Sequence, residues 1–347
     1  MKIDFLLIGQ GLAGSALSYR LIKEGCKVMV MDLPHENKSS RVAAGLYNPI
    51  TGKKMVKTWK GDQLFPVIEP FYEALEKELG VKFLYKKSIY RPFLSIEEQN
   101  EWMGYSGEES FRGYFKQIYQ TSLFPEVLNP FGGILLSMSG YLDIPVYLDA
   151  YRDYLIKLDA YREEKFEESR LEFLSEGIVY EDIHAQGVIY CNGLGAMESK
   201  LFPNAPFAPV KGEILDLQQD FVPDEIINRG VFRIPLPNGQ LRVGSTYTWH
   251  DLDIGPTERA KEEIFEKLDK LIISNEKVLM QHRTGIRPAT KDRKPFLGKH
   301  PEHSGVYMFN GFGAKGVSLT PYFSWVMADL LLRGKNPEKE VNISRWK

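Results

Sequence analysis

The feature that most constrains the fold is a glycine-rich loop between an apolar strand and a helix near the N-terminus. Residues Ile3 to Ile8 form an apolar run that predicts a buried parallel strand, and Gly9-Gln10-Gly11-Leu12-Ala13-Gly14 follows it. A helical pattern then runs to a stop at Gly25. A second apolar strand, Val28 to Met31, ends at Asp32. This order predicts a βαβ dinucleotide-binding unit.

Each residue type in this loop has a physical reason. Gly9 permits the tight turn, Gly11 lets the backbone approach a pyrophosphate, and Gly14 lets the helix pack against the strand. The helix N-terminus at Leu12 and Ala13 offers N–H groups and a partial positive charge to phosphates. The alternative, a tight strand–helix turn without a ligand, uses the same glycines.

Asp32 completes the unit because its carboxylate can accept hydrogen bonds from a ribose diol. Its charge argues against a 2′-phosphate and therefore against NADP. The unit alone does not separate FAD from NAD, so that choice depends on the rest of the chain. A simple NAD enzyme would continue with alternating strands and helices, whereas the following residues change character.

A small-residue segment, residues 39–45, comes next and contributes four candidate cofactor contacts: Ser40, Arg41, Ala44 and Gly45. It leads into Asn48-Pro49-Ile50-Thr51-Gly52-Lys53-Lys54. This segment partly matches a phosphate-binding P-loop but is not one, because the spacing is wrong and no Ser or Thr follows the lysine.

The middle of the chain mixes helices with extended segments. The patterns predict helices over Leu64–Leu79, over Pro145–Leu158 with Asp143 as N-cap, and over Thr257–Ile273. A short strand over residues 188–190 ends at Asn192-Gly193, a form suited to passing beneath a nucleotide. From Phe207 the chain is β-rich, and Asn238-Gly239 predicts a hairpin between Val231–Leu236 and Gln240–Tyr247.

The C-terminal part carries a second loop in which the backbone can approach a ligand. A motif over Gly285–Gly298 precedes a short strand, Val306–Phe309, and then Asn310-Gly311-Phe312-Gly313-Ala314-Lys315-Gly316. Thr320 and Pro321 predict the start of a helix that Gly334 ends.

These motifs together resemble the D-amino-acid-oxidase-like family of FAD-dependent oxidoreductases. The resemblance covers nearly the whole chain, and its most specific parts are Gly285–Gly298 and the Gly311–Gly316 loop with its helix. Further matches are the Gly9–Gly14 loop with Asp32, Ala43-Ala44-Gly45, Gly140-Tyr141-Leu142-Asp143, Tyr190–Gly193 and Val210-Lys211-Gly212. Glycine oxidase, sarcosine oxidase and the flavin domain of the tRNA wobble-uridine demodifying enzyme belong to this family.

The resemblance implies an α/β protein, α+β overall, with a discontinuous Rossmann-like FAD-binding domain of the glutathione-reductase type and an inserted antiparallel-sheet substrate domain. The expected FAD-binding domain comprises residues 1–80, 140–206 and 284–347, and the substrate domain 81–139 and 207–283. It also implies hydride transfer from a carbon next to an amine nitrogen to flavin N5. The imine then hydrolyses, and oxygen commonly reoxidises the flavin.

Three residues are the candidates for chemistry. At the position of Arg287 the family has an arginine that binds the substrate carboxylate, and a planar guanidinium suits that task; a structural ion pair is the alternative. Lys315 and the N–H groups of the Gly311–Gly316 loop would stabilise negative charge on the reduced flavin. The sequence is equally consistent with Lys315 being a solvent-exposed surface lysine. Tyr247 either faces the same pocket or packs elsewhere.

Composition narrows the class further. The 347 residues have a formal net charge of −2, which gives no electrostatic footprint for nucleic acid. The two cysteines, Cys26 and Cys191, exclude a CxxC pair, and none follows Cys191, so we expect non-covalent FAD. The six histidines are scattered, with only His300 and His303 close together, and predict no metal site. No run is long enough to span a membrane, and the chain is predicted to be cytoplasmic.

Three functions remain open from sequence. The leading hypothesis is an oxidase of a small amine or amino acid, with molecular oxygen as acceptor. The second is a flavin enzyme that passes electrons to another acceptor or that acts on a modified tRNA base. The third is a non-catalytic nucleotide-binding module. The sequence indicates neither the substrate nor the oligomeric state.

Overall fold

The computed structural model describes residues 1–33, 39–52, 54–253, 255–274 and 276–346. The helices in these ranges are α1 (Leu12–Lys23), α2 (Ser39–Val42), α3 (Gly61–Leu79), α4 (Ile96–Tyr105), α5 (Ile144–Lys157), α6 (Glu258–Asp269) and α7 (Gly316–Arg333). The strands of the first half are β1 (Lys2–Ile8), β2 (Val28–Asp32), β3 (Leu46–Tyr47), β4 (Ile50–Thr51), β5 (Val56–Lys57), β6 (Leu84–Lys86), β7 (Ile89–Pro92), β8 (Phe115–Tyr119), β9 (Gly133–Leu136) and β10 (Gly140–Leu142). Those of the second half are β11 (Tyr161–Glu163), β12 (Leu171–Phe173), β13 (Ile178–Tyr180), β14 (Ile183–Tyr190), β15 (Val210–Gln218), β16 (Ile226–Arg229), β17 (Val231–Pro235), β18 (Leu241–Gly244), β19 (Val278–Arg287), β20 (Phe296–Lys299) and β21 (Val306–Asn310).

The first large sheet contains a parallel core in the order β11-β2-β1-β14, to which β21 adds in parallel. The five residues of β2 are all buried, as expected for a parallel strand covered on both faces. Because parallel strands end at one edge of a sheet, this order brings Gly9, Asp32, Cys191 and Gly311 to the same edge.

The second large sheet has the order β19-β15-β18-β17-β16-β7-β9-β8. Its strands pair antiparallel except for β16 and β7, which run parallel. One face packs on α6, where Leu215 and Val243 meet Ile264 in a buried cluster. On the other face, Ile89 and Ile134 pack with Tyr141 of β10 in a second buried cluster. The sheet therefore joins residues from both segments of the predicted substrate domain, whose boundaries stay a prediction.

Several predicted boundaries are confirmed to within a few residues. The side chain of Asp143 caps α5 by accepting a hydrogen bond from Val146 N at 3.4 Å. Thr257 caps α6 by accepting from Ala260 N at 3.2 Å, although that helix ends earlier than predicted, at Asp269. Gly80 ends α3 with a φ of +67°, a left-handed conformation that glycine adopts without strain.

The predicted start of the last helix is wrong. Helix α7 begins at Gly316 instead of after Thr320, so Pro321 lies inside it. A proline lacks the N–H that would bind the carbonyl four residues earlier, which here belongs to Val317. The hydroxyl of Tyr72, on α3, donates to that carbonyl at 3.1 Å. A neighbouring helix therefore supplies the missing donor, and α7 continues through the proline.

In the part of the chain that the structure describes, no helix is long and apolar enough to cross a membrane.

Candidate active site

A continuous cleft of about 2280 Å³ runs from the carboxyl edge of the parallel sheet to the open face of the second sheet. Both glycine loops line it, and so do segments near residues 40–52, 190–195, 210–214, 244–249 and 285–294. Large ligand clefts at this edge are the rule in open parallel sheets. The cleft therefore joins the two regions of sequence that the motifs single out.

The first glycine loop has no space for a side chain at Gly9 or at Gly14. Gly9 has a φ of +100°, and a Cβ placed there would lie 2.8 Å from Asn192 Cα. A Cβ on Gly14 would lie 1.9 Å from the carbonyl oxygen of Gly9, which explains why helix α1 can pack so closely on β1. Gly14 itself does not line the cleft, whereas Gly9, Gly11, Leu12 and Ala13 do.

The Gly11 position is where the cleft approaches the backbone. Gly11 is the N-cap of α1 and has no side chain of its own with which to cap the helix. The Leu12 N–H donates to Ser40 Oγ at 3.3 Å, which links the loop to α2. A Cβ on Gly11 would lie 3.0 Å from the same oxygen. The N-terminus of α1 and the missing side chain at Gly11 form a cradle that fits a phosphate group.

Asp32, the last residue of β2, is buried and lines the cleft next to Ser39 and Ser40. Arg41 follows but is not among the residues that line the cleft. Its guanidinium forms an ion pair with Asp149 on α5, and that hydrogen bond raises the pKa of Arg41. Arg41 therefore fastens α2 to α5, an arrangement that its position in the sequence does not reveal.

Ala44 and Gly45 also line the cleft. Gly45 has a φ of +77°, and a Cβ there would lie 1.9 Å from the carbonyl oxygen of Leu142. The Leu142 N–H donates to Gly45 O at 3.0 Å. The resembled segments at residues 43–45 and 140–143 are therefore adjacent in space.

The strand end at Asn192-Gly193 and the second glycine loop are joined directly. Asn310 Nδ2 donates to Gly193 O at 3.0 Å, and Asn310 Oδ1 accepts from Gly311 N at 2.7 Å. Asn192 lines the cleft, and its buried Oδ1 accepts no hydrogen bond within the described residues. This amide oxygen is an acceptor that a bound ligand can satisfy.

All six residues from Gly311 to Gly316 line the cleft. Helix α7 begins at Gly316, its N-cap Lys315 makes no side-chain cap, and its first turn, residues 316–319, lines the same cleft as the loop. Lys315 is only partly exposed, and burial lowers its pKa, helped by the charge of Arg293. Lys315 is thus not the freely solvated surface lysine that the sequence left open.

Arg287 ends β19 and lies across β15. A Cβ on Gly212 would lie 2.0 Å from Arg287 Nη2, so only glycine at this position leaves room for the guanidinium. Its Nη1 donates to Lys211 O at 3.4 Å and to Thr246 O at 3.2 Å, and its Nη2 donates to Ser245 Oγ at 2.9 Å. Burial lowers its pKa. Within the described residues these partners are all neutral, so the ion pair considered from sequence is not found.

The free edge of this guanidinium is the chemically important part. The three hydrogen bonds use three of the five N–H groups and leave Nε–H with one Nη2–H. Two parallel N–H groups on one edge match the two oxygens of a carboxylate. Tyr247 covers one face, with Arg287 Cζ 4.4 Å from the ring centre. Tyr247 itself is 53% exposed and stacks on Trp249 at 6.4 Å between ring centres.

Sequence reasoning missed some residues of the site. Ser245 and Thr246 hold Arg287 through a hydroxyl and a carbonyl, which no motif marks. Arg91 and Trp249 also line the cleft. Tyr247 and Trp249 flank Thr248, which forms an isolated bridge to Lys211, and this alternation of exposed aromatic residues is a signal that the sequence does offer.

His282 Nε2 lies 2.8 Å from Glu213 Oε2, and neither residue lines the cleft. The rings of His300 and His303 are 4.7 Å apart. Among the described residues no group of three His, Cys, Asp or Glu side chains could hold a metal ion.

Comparison with known proteins decides the family. The model of the family described as FAD dependent oxidoreductase (DAO) matches residues 4–330. The chain belongs to this family.

Members of the family bind FAD, and the cleft fits that group: it has a glycine cradle for a pyrophosphate, a buried carboxylate at the end of β2 and an unsatisfied amide oxygen. Glycine oxidase from Bacillus subtilis is 32% identical over 167 residues, which cover 46% of this chain and 44% of that protein. The alignment therefore spans less than half the length of that relative.

Two further comparisons cover nearly the whole chain. The bifunctional protein MnmC of tRNA 5-methylaminomethyl-2-thiouridine biosynthesis from Legionella pneumophila is 22% identical over 97% of this chain and 54% of its own length. The crystal structure of glycine oxidase from Geobacillus kaustophilus has a TM-score of 0.78 at 20% identity, covering 96% of both chains. The latter likeness shows that the fold is shared.

Proposed function

We propose that this protein is an FAD-dependent enzyme that oxidises the C–N bond of a small amino acid bound beneath Arg287. The observation that carries the proposal is the free edge of the Arg287 guanidinium, which lies in the same cleft as both glycine loops. A carboxylate fixed there would place the rest of an amino acid inside the cleft. The similarity to glycine oxidases supports an amino acid of small size.

The cleft suggests which residues hold the cofactor. Gly9, Gly11 and the start of α1 would bind the pyrophosphate, and Asp32 the ribose. Ser40, Ala44, Gly45, Asn192 and Gly193 would line its path, and residues 311–316 would face its ring system. The side chain of Cys191 is buried, and burial raises its pKa far above that of a free thiol, which supports a non-covalent cofactor.

When bound, FAD supplies an acceptor for the two electrons that leave the substrate as hydride. The chain's own part is to orient the substrate: Arg287 fixes the carboxylate, Tyr247 covers the guanidinium, and Gly212 keeps the space open. The substrate loses a hydride from carbon and a proton from nitrogen, and the C–N single bond becomes an imine. Water then hydrolyses the imine to a carbonyl compound and an amine or ammonia. Molecular oxygen is the proposed final acceptor.

The direct test is an anaerobic screen of glycine, sarcosine and larger amino acids against the purified yellow protein. A small amino acid should bleach the visible flavin absorbance, and admission of air should restore it with release of hydrogen peroxide. Bleaching without release of peroxide would indicate that the natural electron acceptor is not oxygen. A preparation that binds no flavin, or that no amine bleaches, would overturn the proposal and favour a non-catalytic module.

A second candidate is action on a modified tRNA base, because the MnmC alignment spans 97% of this chain. The net charge of −2 argues against it. Bleaching by undermodified tRNA but by none of the free amino acids would favour this alternative.

A further inference from the structure

A short hairpin covers one side of the cleft. We call residues 48–58 the tongue; it contains β4 and β5, and Lys53 lies outside the described residues. Asn48, Thr51, Gly52 and Thr58 line the cleft. The base of the tongue is tied to itself, because Thr58 N donates to Pro49 O at 2.8 Å and Ile50 N donates to Asn48 Oδ1 at 3.0 Å. Ile50 and Met55 anchor the tongue in a buried apolar cluster with residues of the second sheet, and polar contacts to its carbonyls add to this packing.

Arg91 makes those contacts from the second sheet. Its Nη1 donates to Ile50 O at 3.0 Å and its Nη2 to Gly52 O at 2.9 Å. The two bonds link β7 to a segment about 40 residues earlier in the chain. A planar fork that grips two carbonyls fixes both the distance and the orientation of the tongue.

The register of the second sheet places Arg91 on the face that forms the cleft. Ile214 is opposite Gly244, Gly244 opposite Phe232, and Phe232 opposite Asn228. The parallel pairing of β16 and β7 then brings Asn228 beside Arg91. All five residues line the cleft. They form one row across the sheet: Ile214, on the strand that Arg287 lies across, is at one end, and Arg91 is at the other.

The charge of Arg91 is costly at this position. The residue is only 4% exposed, its Nε has no hydrogen-bond partner within the described residues, and both of its bonds go to neutral carbonyls. Burial, together with the charge of Arg229, lowers its pKa to about 10. An apolar side chain commonly fills such a site at lower cost. An arginine at this buried position therefore points to a role for its two carbonyl contacts.

We infer that Arg91 is a positioning residue that holds the tongue over the cleft and thereby limits the size of the amine that the site accepts. The limit on amine size rests on the proposed function. The hold of Arg91 on the tongue does not, so the two can be tested separately.

Arg233 provides a matched control. It lies on the same sheet, is fully buried, and bonds to Gln219 Oε1 at 3.1 Å and to the carbonyl of Phe221. Burial lowers its pKa to about 10 as well. Because Arg233 follows Phe232 directly in β17, it faces the opposite side of the sheet and does not line the cleft. Arg233→Met therefore removes an equivalent buried charge without touching the tongue.

The first experiment is limited trypsin digestion of the FAD-loaded protein, with cleavage after Lys54 or Lys57 followed by mass spectrometry. Arg91→Met should speed this cleavage about ten-fold or more, because it removes two hydrogen bonds from a charged group. Arg91→Lys should give an intermediate rate, and Arg233→Met should match the unsubstituted protein. Equal rates for Arg91→Met and the unsubstituted protein, or an equal rise in Arg233→Met, would overturn the inference.

The second experiment compares kcat/KM for glycine, sarcosine and N-butylglycine. In Arg91→Met the ratio for N-butylglycine over glycine should rise, whereas Arg233→Met should leave it unchanged. Faster tongue cleavage with an unchanged ratio would overturn the limit on amine size. If none of these amines bleaches the flavin, the proposed function fails together with that limit, and the digestion still decides whether Arg91 holds the tongue.

Discussion

The guanidinium of Arg287 lies 4.4 Å from the centre of the Tyr247 ring, and its hydrogen bonds within the described residues go to neutral groups. A cation over an aromatic face is stabilised without being neutralised. The arginine therefore keeps its full charge in a cleft where burial already lowers its pKa. Such a group gains most from a bound carboxylate.

Replacing Arg287 should weaken substrate binding more than it weakens the fold. Two hydrogen bonds between charged groups are worth ~1.5–3 kcal/mol each, so Arg287→Met should raise KM by about 100-fold or more. Arg287→Lys keeps the charge but loses the fork and should recover only part of the binding. Steady-state kinetics with the best amino acid gives the answer. Arg259→Met, at an exposed position on α6, is the control, and an unchanged KM in Arg287→Met would remove the carboxylate role.

Tyr247 should act through its ring and not through its hydroxyl. Tyr247→Phe keeps the contact over Arg287 and should change kcat/KM little, whereas Tyr247→Ala should lower it several-fold, since exposed cation–π contacts contribute ~0.5–1 kcal/mol. The comparison needs only steady-state assays of the two variants. A large loss in Tyr247→Phe would show instead that the hydroxyl contacts the substrate.

Gly14 should be indispensable for a purely steric reason. A Cβ at this position would lie 1.9 Å from a backbone oxygen, which no side-chain movement can relieve. Gly14→Ala should therefore give protein with little FAD and a strongly lowered Tm. Gly104→Ala on α4 is the control, because a Cβ there meets nothing within 4 Å and alanine favours a helix by roughly 0.5–1 kcal/mol. Normal FAD content in Gly14→Ala would contradict the packing of α1 on β1.

Lys315 should set the pH dependence of the flavin midpoint potential. Burial and Arg293 lower the pKa of Lys315, so its charge is present at low pH and is lost at a lower pH than for a free lysine. A cation near the ring favours the reduced, anionic cofactor. The potential should therefore fall as the pH rises through this pKa, and Lys315→Met should have a lower potential without that step. Lys335→Met, beyond the end of α7, should behave as the unsubstituted protein; an unaltered pH profile in Lys315→Met would place Lys315 away from the ring.

The sequence predicted the parts of the molecule that local rules govern. The turn at Gly9, the close packing at Gly14 and the strand ending at Asp32 follow from residue type and spacing, and the structure contains all three. The caps at Asp143 and Thr257 are of the same kind. Each depends on residues close together in the chain.

The parts that the sequence did not predict depend on distant partners. Helix α7 passes through Pro321 because Tyr72, about 250 residues earlier, supplies a donor. Arg41 pairs with Asp149 on another helix, and Arg91 binds carbonyls of the tongue. Backbone carbonyls carry no sequence signal, so no motif could have indicated Arg91.

Amino-acid oxidation at Arg287 is tested most directly by stopped-flow reduction of the flavin, without oxygen, by the best amino acid with deuterium on the carbon next to nitrogen. We expect complete bleaching, markedly slower with deuterium, and loss of saturation at the same concentrations in Arg287→Met. A flavin that stays oxidised with every amine would contradict C–N oxidation by this protein. Bleaching at the same rate with hydrogen and with deuterium, and at the same rate when Arg287 is replaced, would contradict it as well.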